Sequence, residues 1–248
     1  MKSVVTEVTE GQTLKYSTDP AGYKRIMGEQ EILMFLKDSP HTPTILKVES
    51  DTTRASITMQ TIHSKSLREI LDINDEYSTK PRAWKEAKKL LEPYVEAEMD
   101  LLARGALYRD MNLDHILFAH DKTYLIDLES TIINTSCGKW ILNDMRGTWE
   151  TMAPEEFPGY GELSTRTATY RVAVIAYIIL TGKLPFKRFP DSRSETHHWR
   201  MRHPVEAADM LSKDIQQVFK IGLARKPTHR YKDPLAFLKQ LEKSQESH

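Results

Sequence analysis

Tyr108-Arg109-Asp110-Met111-Asn112-Leu113-Asp114-His115-Ile116-Leu117-Phe118 and, shortly after it, Tyr124-Leu125-Ile126-Asp127-Leu128-Glu129 are the stretches that decide the fold of this chain. Asp110 stands at the mouth of a loop, and the apolar triplet Ile116-Leu117-Phe118 follows. Ala119-His120-Asp121-Lys122 then reads as a turn, and a short apolar strand runs into a second acid. The pattern predicts a β-hairpin with carboxylates at its rim, the two acids lying 127 − 110 = 17 residues apart. Such a pair suits phosphoryl transfer. One carboxylate orients an acceptor hydroxyl and takes its proton, and another holds a divalent metal against phosphate oxygens. Two surface acids beside an ordinary hairpin share this outline, so the flanking sequence has to decide.

Downstream of Glu155 the chain reads as helical. Val172 to Leu180 is apolar on every face and is expected to be a buried central helix, with amphipathic helices over Asp214 to Leu223 and Pro234 to Leu241. Upstream, a long helix is expected from Pro81 to Arg104, with Pro81 in its first turn and Gly105 ending it. Leu90, Leu91, Tyr94, Val95, Met99 and Leu102 form its buried side. Ser66 caps a helix running to Leu71. Ala55 to Met59 is a strand leading into Gln60-Thr61-Ile62, Gly22 to Asp38 is a helix carrying Ile26, Leu33 and Leu36, and Thr13 to Ser17 is a short strand.

Composition narrows the class. At 248 residues the chain holds one bilobal unit or two small domains. Lys+Arg and Asp+Glu balance at 35 each, so no global field points to nucleic acid or an anionic membrane. A single cysteine, Cys137, excludes an internal disulfide framework and fits a reducing compartment. Met1 to Val8 lacks the apolar core of a signal peptide, and Val172 to Leu180 falls well short of the ~20 residues that span a bilayer. A cytoplasmic chain is expected, with no transmembrane segment and no nucleic-acid partner.

The Asp110–Asp127 region resembles the catalytic loop and metal-binding strand of protein kinases. Arg146-Gly147-Thr148-Trp149-Glu150-Thr151-Met152-Ala153-Pro154-Glu155 resembles the end of their activation segment. Leu180-Thr181-Gly182-Lys183-Leu184-Pro185-Phe186 resembles the exit of their central helix, and Lys226-Pro227-Thr228-His229-Arg230 a late C-lobe motif. The resemblance implies an α+β, bilobal protein-kinase-like fold with a truncated N-lobe over residues 1–62 and a mainly helical C-lobe over 63–248. It also implies a nucleotide, ATP, with Mg²⁺ or Mn²⁺. Asp110 takes the catalytic role and Asp127 the metal. Lys15 grips the phosphates with Glu29 as its helix partner, and Met59, Gln60 and Thr61 form the nucleotide-binding hinge. Lys24 and Glu31 are alternatives for the pair, but Lys24 is only five residues from Glu29, too few to leave a strand and enter a helix. Glu155 and Arg230 are expected to form a buried ion pair, and Thr148 to support the catalytic loop. Arg109 either receives a phosphate added at Thr131, Thr135, Ser136, Thr148 or Thr151, or bonds local backbone or Asp114.

The departures from that family carry information too. Tyr108 stands where His is usual, Asn112 replaces the loop lysine, and His115 replaces the metal-binding Asn. Leu128-Glu129 replaces Phe-Gly, and the buried helix Asp falls at Ala168 or Thr169. Only fourteen residues precede Lys15, with Gly11 the lone glycine among them. That leaves barely room for two strands and no glycine-rich phosphate loop. Asp110 with His115, and Ile126-Asp127-Leu128-Glu129, are similar to bacterial lipopolysaccharide-core kinases, in which His is a metal ligand. Three readings follow: a kinase for protein Ser/Thr, a kinase for a sugar or glycolipid core, and a binding module that keeps the fold without turnover.

Overall fold

Two strands do fit ahead of the candidate lysine. β1 (Val4–Val8) and β2 (Gln12–Ser17) pair antiparallel, from Val4 opposite Ser17 to Val8 opposite Thr13. Thr9 makes this economy possible, because its hydroxyl and amide both donate to the Gln12 carbonyl, at 2.8 and 2.9 Å, and close the turn. The computed structural model describes residues 3–73, 77–120, 122–134, 139–142, 146–157, 161–187, 189, 192–203, 205 and 208–246. Thr135, Ser136 and Cys137 lie outside the described residues.

Asp19 then caps α1 (Pro20–Phe35), accepting from the Gly22 amide at 2.7 Å, with Pro20 in the first turn. The helix therefore starts before the expected Gly22 and ends short of Asp38. It lays Ile26, Ile32 and Leu33 against a four-stranded sheet ordered β1-β2-β4-β3, where β3 is Ile45–Ser50 and β4 is Ala55–Gln60. Along β4 the side chains alternate, with Ala55, Ile57 and Met59 buried.

β5 (Lys65–Ser66) leads directly into α2 (Leu67–Leu71), whose N-terminus is closed by a capping box between Ser66 and Glu69. α3 begins at Trp84 and runs to Ala103, three residues later than the proline signal implied. The reason is non-local. The amides of Thr79 and Arg82 donate to the carbonyls of Gly182 and Ile179, both at 2.9 Å, which holds this stretch extended against the end of another helix. Leu91, Tyr94, Val95 and Leu102 are buried as expected, whereas Leu90 and Met99 are only partly covered.

The signature hairpin follows. β6 (Ala106–Leu107) precedes the loop, and β7 (Ile116–Ala119) pairs with β8 (Lys122–Leu125) in register from Ile116 opposite Leu125. β5 adds to the outer edge of β7, and β6 pairs with β9 (Ile132–Ile133). α4 (Thr165–Thr181) is sealed on all sides, with every residue from Thr167 to Thr181 buried. α5 (Arg193–Arg202), α6 (Lys213–Gly222) and α7 (Pro234–Glu246) complete the body. Gly182 ends α4 with φ +75°, and a Cβ there would meet the Thr79 carbonyl oxygen at 2.2 Å, so only glycine fits. The chain is thus a small sheet-and-helix layer resting on a helical body. No helix among the described residues is long and apolar enough to cross a membrane.

Candidate active site

The cleft between layer and body gathers the residues the sequence singled out. It holds about 650 Å³ of empty space, with apolar walls from Val8, Met59, Ile62, Leu117 and Ile126, and with Lys15, Glu29 and Asp127 in its lining. A few polar groups converging in an apolar cavity is the usual form of a small-molecule site.

β2 delivers Lys15 and α1 delivers Glu29. Lys15 Nζ donates to Glu29 Oε1 at 2.7 Å and Oε2 at 2.9 Å, and to Asp127 Oδ1 at 2.9 Å. Burial alone would lower the lysine's pKa, but Glu29 and Asp127 outweigh it and hold the ammonium above its usual value. Lys24 and Glu31, the alternatives for this pair, are both exposed. Glu29 also accepts from the Leu128 amide at 3.3 Å, so the pair is tied to the residue after Asp127. Arg25, one turn earlier on α1, forks onto Glu129 at 2.6 and 2.7 Å.

Asp127 adopts left-handed backbone, φ +56°, a conformation that Asp tolerates better than most residues. Across from it stands Asp110, and His115 spans the gap between them. Its Nδ1 lies 3.3 Å from Asp110 Oδ2 and its Nε2 lies 3.5 Å from Asp127 Oδ2. One ligand atom from each of the three lies within 4.8 Å of the others. Two carboxylates and an imidazole so placed form a donor set for a hard-to-borderline divalent cation. Burial pulls the His115 pKa down, but the Asp110 carboxylate that faces its Nδ1 and the charges of Asp127 and Asp110 raise it above the ordinary value overall. For Asp110, burial pushes upward, yet His115, Thr148 and Arg171 together bring its pKa below normal.

The loop that carries Asp110 is held from several sides. The Thr148 hydroxyl donates to Asp110 Oδ1 at 2.5 Å. Tyr108, in the place of the usual His, is buried and donates its hydroxyl to the Ile126 carbonyl at 2.8 Å, joining this loop to the strand before Asp127. Glu155 and Arg230 form a fully buried forked pair at 2.7 and 2.8 Å.

One expectation needs correction. Arg109 cannot receive a phosphate from solvent, since it is 1 % exposed and donates to Glu156 at 3.2 Å. Its alternative partner Asp114 pairs instead with Arg68 at 2.9 Å. At the hinge, Met59, Gln60 and Thr61 do line the cleft, but the amides of Gln60 and Thr61 are spent on the carbonyls of Thr44 and Gly11, at 2.9 and 3.2 Å. Neither amide is open to a ligand in this arrangement.

Sequence reasoning missed Glu156 and Arg171. Glu156 follows Glu155 directly, and Arg171 abuts the apolar run that starts at Val172, so a charge inside an otherwise sealed helix was the available signal. Neither Ala168 nor Thr169 reaches the loop: Ala168 is apolar and the Thr169 hydroxyl bonds the Thr165 carbonyl at 3.2 Å.

Comparison with known proteins accords with this geometry. A family model described as the protein kinase domain matches residues 5–241. The serine/threonine-protein kinase Pkn1 of Myxococcus xanthus is 29% identical over 144 residues, covering 54% of this chain and 20% of that protein. Serine/threonine-protein kinase PknD of Mycobacterium tuberculosis is 28% identical over 135 residues, covering 52% of this chain and 20% of that protein. The matched stretch thus spans about a fifth of the length of these relatives. Among solved structures, the Cydia pomonella granulovirus kinase PK-1 superposes with a TM-score of 0.74 at 18% identity, covering 93% of this chain and 85% of that one. That likeness concerns the fold.

Proposed function

Because the chain belongs to the protein kinase domain family, we propose that it is an ATP-dependent phosphotransferase, moving the γ-phosphate to the hydroxyl of a protein Ser or Thr. The observation that carries this reading is the run of contacts Glu29–Lys15–Asp127–His115–Asp110, none longer than 3.5 Å, along one side of the cleft. In this proposal the hinge divides the chain into 1–62 above and 63–248 below, with Met59 to Thr61 beside the nucleotide base.

Each residue then has a task that follows from its chemistry. Lys15, kept charged by Glu29 and Asp127, neutralises phosphate oxygens. Asp110 is a weak base because its pKa is lowered, so its main work is orientation. Thr148 occupies Oδ1, and Oδ2, which His115 Nδ1 faces at 3.3 Å, is the atom that would receive the acceptor's hydroxyl proton. Asp127 and His115 would hold Mg²⁺ or Mn²⁺, and a divalent ion there supplies charge neutralisation at the phosphates. The imidazole in that donor set favours Mn²⁺ over Mg²⁺.

The test is label transfer. The purified chain is incubated with γ-labelled ATP and either Mn²⁺ or Mg²⁺, in the presence of a mixed protein substrate or of lipopolysaccharide core. Label on Ser or Thr, greater with Mn²⁺, supports the proposal. Label confined to the sugar would move the acceptor to a glycolipid. Nucleotide-dependent stabilisation without any label would make the chain a binding module.

A further inference from the structure

The strongest unassigned feature lies beneath the catalytic loop, where three charged side chains are sealed from solvent. Glu156 and Arg171 have side chains that are 0% exposed, and Arg109 is 1% exposed. Arg171 grips both oxygens of Glu156 with Nε and Nη2, the Nε contact measuring 2.7 Å, and donates Nη1 to the backbone carbonyl of Arg109. Glu156 also takes Arg109 Nε on Oε1 and the Ala153 amide on Oε2, the latter at 2.8 Å. One carboxylate therefore ties together the central helix α4, the catalytic loop and the segment around Ala153.

Stability alone does not account for this node. Buried ion pairs are often replaceable by apolar side chains of similar volume at no loss of stability, because desolvation offsets the attraction. What an apolar pair cannot reproduce is the hydrogen bond to the Arg109 carbonyl. That carbonyl belongs to the peptide leading into Asp110, and it is crowded from the other side: a Cβ at Gly147, where φ is +114°, would lie 2.6 Å from it. The next carbonyls of the loop are spoken for as well. Asp110 O accepts from the Asn112 amide at 2.8 Å, Met111 O from the Thr151 hydroxyl at 3.3 Å, and Leu113 O from the Arg68 amide at 3.2 Å. Arg171 is one helical turn from Ala168, on the same side of α4.

We propose that Arg171, oriented by Glu156, is a positioning residue that fixes the Arg109–Asp110 peptide through the Arg109 carbonyl and so sets where the Asp110 carboxylate points. This rests on Asp110 acting on the acceptor hydroxyl. Neither residue touches substrate. Thr148 holds the Asp110 side chain, Arg171 holds its backbone, and both holds are needed for a single carboxylate orientation.

The test compares wild type with Arg171→Lys and with the paired apolar replacement Glu156→Leu/Arg171→Met, using hydrogen exchange of residues 109–113 and steady-state kinetics. The double variant also takes the Glu156 carboxylate from Arg109, so its fold should be less stable, and in the folded protein exchange in the loop should accelerate by at least about tenfold. Its kcat should fall on the order of 100-fold with KM for ATP unchanged, the pattern of a misplaced catalytic group. Arg171→Lys, which keeps a donor but loses the fork, should fall between the two, and it also serves as the readout should the double variant fail to fold. Wild-type exchange and wild-type kcat in either folded variant would overturn the proposal. A wild-type chain with no transfer activity would instead sink the role of Asp110, and the exchange measurement would then judge the clamp alone.

Discussion

Two groups of ion pairs of nearly equal length hold this molecule, and they differ in what they face. At the cleft, Lys15 reaches Glu29 and Asp127 at 2.7 and 2.9 Å, with side-chain exposures of 12%, 3% and 28% for the three. In the helical body Arg230 meets Glu155 at 2.7 Å, with both side chains fully buried. Arg230 also donates to the carbonyls of Ala224, Arg166 and Arg225 at 2.6, 3.0 and 3.0 Å. Its hydrogen-bonding capacity is consumed by the fold. Lys15 and Asp127 keep an accessible side, where phosphate oxygens and a metal can join them. Under the proposed function, the same chemistry serves structure where it is sealed and recognition where it is left open.

The comparison breaks first on stability. Glu155→Ala strands a buried guanidinium, at a cost of about 3–5 kcal/mol. For a chain of this size that lowers Tm on the order of 10 °C, measurable by scanning calorimetry. A change under about 1 kcal/mol would place Glu155 among ordinary surface pairs.

Glu98 sharpens the same point. It is fully buried, its carboxylate oxygens have no hydrogen-bond partner among the described residues, and burial pushes its pKa up to about 8, with Arg171 opposing. A folded pKa above the unfolded value means that stability present at low pH is lost as pH climbs from 4.5 toward 8. The slope is about 1.4 kcal/mol per pH unit and fades as pH nears the folded value, which makes roughly 2 kcal/mol between pH 6 and pH 8. Glu98→Gln should flatten that decline, as read from urea midpoints across the range. Parallel pH profiles for the two proteins would show that Glu98 does not titrate there.

At the cleft the effect on the fold is smaller and the effect on binding larger. Lys15→Met should cost about 1.5–3 kcal/mol, since Glu29 loses its charged partner but keeps the Leu128 amide. It should also abolish the rise in Tm that the proposed function predicts for the wild type with ATP and Mn²⁺. A preserved rise would separate Lys15 from the nucleotide. The smallest effect belongs to Arg25, whose side chain is 43% exposed against Glu129. Arg25→Ala should change stability by about 0–1 kcal/mol, within the range of exposed pairs.

Much of the cleft was legible in the sequence. The acid-loop-strand-acid spacing around Asp110 and Asp127, and the fourteen-residue step from Lys15 to Glu29, are local patterns that survive without a tertiary context. What remained hidden depended on distant partners. Pro81 reads as a helix start, but the amides of Thr79 and Arg82 are taken by Gly182 and Ile179, so the helix waits until Trp84. β6 and β9 are two residues each and exist only because Ala106–Leu107 meets Ile132–Ile133. Arg171 was obscured because periodicity marks an apolar run by its hydrophobic members, and a buried charge inside it carries no periodic signature.

The central claim is that the two rim carboxylates divide the work, Asp127 with the metal and nucleotide and Asp110 with the acceptor. The measurement that tests it most directly pairs nucleotide binding with single-turnover phosphate transfer in Asp110→Asn and Asp127→Asn. Both variants should lose transfer; Asp110→Asn should still bind ATP in the presence of Mn²⁺, and Asp127→Asn should bind it weakly, with the metal dependence gone. Undiminished transfer by both variants would contradict the account.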